Sequence, residues 1–397
     1  MATPDPGQQI WPGHPQLVPR QFRPTLPVTQ TGYPSFWRTP AWSWWRPIVA
    51  LLFIGVGWVM ATLVFLVGAT AIDVSTGRVV LDSLEAWQLT PLGFIANNLG
   101  LASMIVFALV ISLVVFKQRA GFVSSVAGRM RWGWLGRCLL VITPIWLVFV
   151  GGLTWWEYRT LGAADLGINQ DTWVLLIGIL LTTPLQAAGE EFGFRGVINR
   201  AAASFSRNPK VALVIGAVIS SLAFMAAHAA LDPWLNLYYF SFGIIACILT
   251  WRTGGLEAAI AMHVVNNLLS LAPAPFSDFS DLFNRESGAG DPSVLIGVAV
   301  MVGACVLLLW QARVKGIQTT SAPGQSTAAA WTGGAPPASG WYPGASLPAP
   351  PPLPRPAPAP RPAPGPPPQP PQAAAGQGFL PLTNPRPWEG GPTIGQR

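Results

Sequence analysis

The chain places a small set of polar residues inside otherwise apolar sequence: Glu190, Glu191 and Arg195 in "EEFGFRG", His228 closing "FMAAH", and His263 with Asn267 in "HVVNN". An ionised carboxylate in a membrane helix costs about 3 kcal/mol, so two side by side mark a functional site by default. A carboxylate beside an imidazole can hold a water, take its proton and return that proton to a leaving amine, which is general acid–base hydrolysis. A second imidazole and an amide on one helix face offer two donors to a tetrahedral oxyanion. Glu190, His228 and His263 also make a two-histidine, one-glutamate set, the ligand complement of several hydrolytic zinc sites. Residue types alone do not separate the two chemistries.

Spacing says which of these groups can meet. Residues four apart share a helix face, which pairs Glu191 with Arg195, Phe224 with His228, and His263 with Asn267. Glu190 is then turned by about 100° from Glu191 and free of the arginine. The turn "SRNPK" (206–210) ends one helix and begins another at Asn208 and Pro209. Glu190 lies 19 residues before Pro209 and His228 lies 19 after it. In an antiparallel hairpin the two therefore share one depth, about 28 Å from the turn. His263 is nine residues beyond Gly254, about 14 Å from its own helix start. The three depths agree if the hairpin projects past the membrane surface or the helix bends at Pro184. Each residue taken singly has a plainer reading: histidine or asparagine bonding between helices, Arg195 reaching for the interface, Phe224 as core. The paired glutamates resist such a reading best.

These residues need helices to hold them. Apolar runs of spanning length cover 47–71, 91–116, 138–156, 172–204, 210–230, 234–251, 254–272 and 293–311. The fold class is thus all-α, a polytopic membrane protein of about eight transmembrane helices. Lys and Arg crowd alternate connections, as in Lys117 to Arg137, Arg195 to Lys210, Arg252, and Arg313 with Lys315. The opposite loops hold mostly Asp and Glu, so the positive-inside rule predicts both termini in the cytoplasm. Residues 47–315 form the transmembrane domain. Residues 1–46 and 316–397 are rich in Pro, Gly, Ala and Gln, and both read as disordered tails. PxxP segments in the second tail suit a spacer or a polyproline ligand, and name no partner.

Only 10% of residues are charged and 51% are hydrophobic, which excludes an ordinary soluble domain. The net charge of +7 follows the loops rather than a basic patch with interleaved aromatics, so nucleic acid is not an expected partner. Cys138, Cys247 and Cys305 lie far apart in apolar runs and read as packing residues. No HExxH occurs, no GxSG stands on a span, and "GAGD" (288–291) lies in a loop without a second intramembrane aspartate.

The pattern EExxxR, FxxxH and HxxxN on three helices resembles the CAAX prenyl endopeptidase and bacteriocin-processing (CPBP, or Abi) family of intramembrane proteases. The resemblance covers about residues 170–275, the motif core, and leaves the tails outside. It implies an intramembrane endopeptidase of a bacterial cell membrane, acting on membrane-delivered protein substrates, lipidated or CAAX-like ones among them. By that resemblance Glu190 and His228 activate water, His263 and Asn267 stabilise the oxyanion, and Glu191, Arg195 and Phe224 support the site. It favours no cofactor, with zinc on Glu190, His228 and His263 as the alternative. The family also contains non-catalytic scaffolds and regulators.

Overall fold

The computed structural model describes residues 23–80, 89–162, 167–276 and 285–325. All of them fall in the unit Met1–Ala338; the remaining unit, Ser339–Arg397, lies outside the described residues. Among the described residues, eight helices are long and apolar enough to cross a membrane. They are α1 (Trp45–Ser75), α2 (Pro91–Val110, running on as a π turn over Ile111–Val115) and α3 (Trp132–Leu161). Then follow α4 (Thr172–Glu190), α5 (Pro209–Ala227), α6 (Pro233–Thr253), α7 (Glu257–Ser270) and α8 (Val294–Val314). The protein is a polytopic all-α membrane protein, as the hydropathy predicts.

Three spans open with the same local device. Thr90, Asn208 and Asp232 each stand before a proline, and each side chain accepts N–H bonds from the first turn behind it. The cap satisfies orphan donors, while proline supplies the helical φ at a position that needs no N–H. At the far end of α6, Gly254 takes the left-handed conformation (φ +68°) that closes a helix.

Packing centres on α4. It lies against α2 on one side and α7 on another, with α5 and α6 packed together beyond it. Contact with α2 depends on small residues: a Cβ at Gly189 would meet the backbone of Leu101 and Ala102, and one at Gly193 would meet Met104. Close helix approach through small residues replaces the hydrophobic drive that lipid cannot provide. Asn98 of α2 adds a buried bond to Thr182 Oγ1 at 2.9 Å.

Three expectations need correction. The fourth span is not one α-helix to residue 204: α4 ends at Glu190, a π-helix covers Glu191–Asn199, and a last α turn takes Arg200–Ala203. The fifth helix stops at Ala227, so His228 caps its end instead of lying within it. The tails do not begin at the helix ends. Residues 31–32 and 320–321 pair as antiparallel strands β1 (Thr31–Gly32) and β2 (Thr320–Ser321), and Tyr33, Phe36 and Trp37 are fully buried. Composition hides this because a few aromatics among prolines suffice to anchor a strap. The pairing also fixes the segments before α1 and after α8 at one end of the bundle, as an even number of crossings requires. Residues 1–22 and 326–397 lie outside the described residues.

Candidate active site

The π-helix begins at the second glutamate, and single-turn π segments within α-helices occur frequently at functional sites. Widening the turn frees backbone carbonyls, and one is met from outside: Ser220 Oγ on α5 donates to Phe194 O at 2.9 Å. The same hairpin brings Phe194 edge-on to Phe224, with ring centroids 5.2 Å apart.

The two carboxylates have different neighbours. Glu191 is completely buried, and its Oε1 accepts from Arg195 Nη1 at 3.1 Å and from His263 Nδ1 at 2.8 Å. Arg195 is equally buried, its guanidinium 4.5 Å from the Phe224 ring centroid and 5.8 Å from that of Phe242. Those ring faces stand where Nε and Nη2 find no hydrogen-bond acceptor. Glu190 Oε1 accepts from Gln186 Nε2 at 2.6 Å, whereas its buried Oε2 has no hydrogen-bond partner. That free oxygen faces His263 Nε2 at 3.7 Å.

His228 holds its Nδ1 2.8 Å from the carbonyl of Phe224, which can only accept, so Nδ1 carries the proton and Nε2 is left available. Its ring stacks on Tyr239 at 3.9 Å and 27°, and its backbone carbonyl accepts from Arg285 Nη1 at 2.7 Å. No direct hydrogen bond or ion pair joins Glu190 to His228 among the described residues. Asn267 Nδ2 donates to Gln186 Oε1 at 3.1 Å, while its Oδ1 accepts from Asn266.

All seven residues singled out in the sequence therefore gather around one locus. The nearest imidazole to Glu190 is His263, however, and Glu191 serves both Arg195 and His263. Two residues were missed. Gln186 bridges Glu190 to Asn267, and its position four residues before Glu190 was the available signal. Tyr239 backs His228 from α6, and nothing in its sequence context marks it.

Each imidazole directs Nδ1 to a protein acceptor and keeps Nε2 free, as metal-ligating histidines do. Even so, among the described residues no three His, Cys, Asp or Glu side chains converge closely enough to hold an ion. Glu190, His228 and His263 as placed do not form the alternative zinc centre. Cys138, Cys247 and Cys305 are free and buried.

The fold and site define a polytopic membrane protein with a buried glutamate–histidine–asparagine cluster. Residues 171–269, the stretch that carries all three motifs, match the model of the family described as type II CAAX prenyl endopeptidase, Rce1-like. Among curated proteins, the uncharacterized protein YyaK of Bacillus subtilis (strain 168) is 30% identical over 98 residues. That match takes in 24% of this chain and 32% of YyaK, so the chain spans about a third of the length of the relative. No solved structure matches.

Proposed function

We propose that this protein is an intramembrane endopeptidase that hydrolyses peptide bonds of membrane-delivered substrates, lipidated or CAAX-like proteins among them. One observation carries the reading: Glu190 has one oxygen fixed by Gln186 and a second, buried and without a hydrogen-bond partner, facing His263 Nε2. Oε2 is the oxygen that takes the proton of a water held between Glu190 and His228. The hydroxide oxygen attacks the carbonyl carbon of the scissile bond. Negative charge gathers on the former carbonyl oxygen, which His263, oriented by its Nδ1 contact with Glu191, stabilises from its Nε2 edge. Asn267 supplies the N–H not committed to Gln186. Collapse breaks the C–N bond, and the proton from Glu190 passes to the leaving nitrogen. Glu191 Oε1 is already committed to Arg195 and His263, so Glu191 orients the imidazole rather than competing as a base. We propose further that both termini face the cytoplasm, on the strength of the basic connections at that end.

The test uses the purified full chain in liposomes with a library of membrane-anchored peptides, products being read by mass spectrometry. Glu190→Gln and His228→Ala should each lose cleavage by at least about 100-fold, the scale of general acid–base catalysis, while inserting and melting like the parent. Undiminished cleavage by either variant overturns the proposal. One equivalent of zinc in elemental analysis of active protein would replace the metal-independent mechanism with the zinc alternative. Normal cellular function in Glu190→Gln, lost instead on deleting residues 326–397, would favour a non-catalytic scaffold.

A further inference from the structure

Two adjoining cavities open at the end of the bundle that carries both straps. The first, of about 390 Å³, is lined by Ser35, Arg38, Ser206, Arg207 and Trp251 among others. The second, of about 320 Å³, shares Trp251 and the β1–β2 ribbon and adds Arg252 and Arg313. Their walls come from the ends of α6 and α8, the turn between the fourth and fifth spans, and residues 29–38 and 319–320. Alternation of the spans puts all of these on one membrane face, at the depth where tryptophan settles between headgroups and hydrocarbon.

Charge is the unusual feature. No acidic side chain lines either cavity, and Arg38, Arg207, Arg252 and Arg313 make no ion pair with an acid among the described residues. Arg38 is held below its ordinary pKa first by burial and then by the Arg207 charge. Like charges kept near one another without a counter-charge repel, and the fold gains nothing from the arrangement unless an anion joins it. Arg38 is also not free to swing away. Its Cζ lies 3.7 Å over the Trp42 ring, and its Nη1 donates to Ser204 O at 3.1 Å. Trp42 Nε1 in turn donates to Ser204 Oγ at 3.1 Å. Ser204 directly follows Arg200–Ala203, the last α turn of the fourth span.

We infer that this double cavity is a binding site for a phosphate anion, supplied by the headgroup of an anionic phospholipid, with Arg38 and Arg207 holding one side and Arg252 and Arg313 the other. Guanidinium forks and serine hydroxyls suit phosphate oxygens, and Trp251 suits the glycerol and acyl boundary below them. The bound headgroup bridges the N-terminal strap, the C-terminal strap and the end of the fourth span. This inference does not depend on the proposed protease activity.

The full chain in detergent is titrated with phosphatidylglycerol, phosphatidylcholine or inorganic phosphate, reading lipid retained by native mass spectrometry and the melting midpoint. Phosphatidylglycerol should be retained in a one-to-one complex and raise the midpoint, while phosphatidylcholine does neither. The double variant Arg207→Gln, Arg252→Gln should weaken retention by about tenfold or more, and Arg207→Lys should keep most of it. The Arg207 and Arg252 side chains make no hydrogen bond among the described residues, Arg252 lying over the Trp251 ring, so the lipid-free midpoint of the double variant checks folding. Full stabilisation by inorganic phosphate, lost in the double variant, would support the anion site and make free phosphate its source. Equal retention of both lipids, or undiminished phosphatidylglycerol retention by a folded double variant, overturns the inference.

Discussion

Gln186 separates a catalytic from a packing role for Glu190, because it touches both the proposed base and the proposed oxyanion donor. Replacing it with leucine removes the charge-assisted bond to Glu190 Oε1 and the support of Asn267. Gln186→Leu should lower kcat by about tenfold or more, from the strength of a hydrogen bond to a charged group. KM should hold while kcat falls, whereas a residue that only packs would leave kcat in place. Arg195 makes a different prediction: Arg195→Gln leaves Glu191 charged and buried, a loss of about 3 kcal/mol. Arg195→Lys should recover little of it in a thermal-unfolding series, because an ammonium does not reproduce the planar stacking on Phe224.

At the scale of elements, the site depends on how closely α2 and α4 approach. Gly189→Val places a side chain against the backbone of Leu101 and Ala102, which cannot yield as a side chain could. Loss of folded protein, or of cleavage with the protein still inserted, is the expected outcome by size-exclusion and activity measurements. The loop after α5 offers a pH test outside the membrane. The Asp232 carboxylate is held below its ordinary pKa chiefly by the N–H of Leu235, helped by Gly288, Gly290 and Trp234. A depressed folded pKa stabilises above the unfolded value of about 3.9 and ceases to do so as pH falls through the folded value. The difference in melting midpoint between the parent and Asp232→Ala should be full at neutral pH and shrink below about pH 4. The same contacts give "GAGD" a structural task, with Gly288 N–H donating to Asp232 Oδ2.

For the molecule as a whole, Arg200 joins the N-terminal strap to the bundle. It is buried and ringed by Tyr33, Phe36 and Trp37, with centroids 4.6 to 5.5 Å from its Cζ, and it donates to Phe122 O. Tyr33 hydrogen-bonds the carbonyl of Val123, and Trp37 stacks on Phe116 at 3.8 Å. From the opposite side Arg131 grips buried Glu257 at 2.6 Å and the carbonyl of Gln318 at 3.0 Å. Trp37→Ala should therefore cost about 3 kcal/mol, as for a buried aromatic elsewhere. Limited proteolysis should show the first cleavage moving to residues 23–44.

The sequence by itself determined the eight crossings, because hydrophobic length is a one-dimensional property that lipid reads directly. Periodicity also assigned Glu191 to Arg195, since a helix converts residue number into angle. Only the tertiary structure decided what distance along the chain cannot encode: His263 between the two carboxylates, Gln186 joining Glu190 to Asn267, and Tyr239 behind His228. It also decided the π-helix and the buried straps. A wider turn is stabilised by what packs outside it, here Ser220 on a freed carbonyl, and a Pro-rich segment is ordered by partners such as Arg200 that its own composition does not reveal.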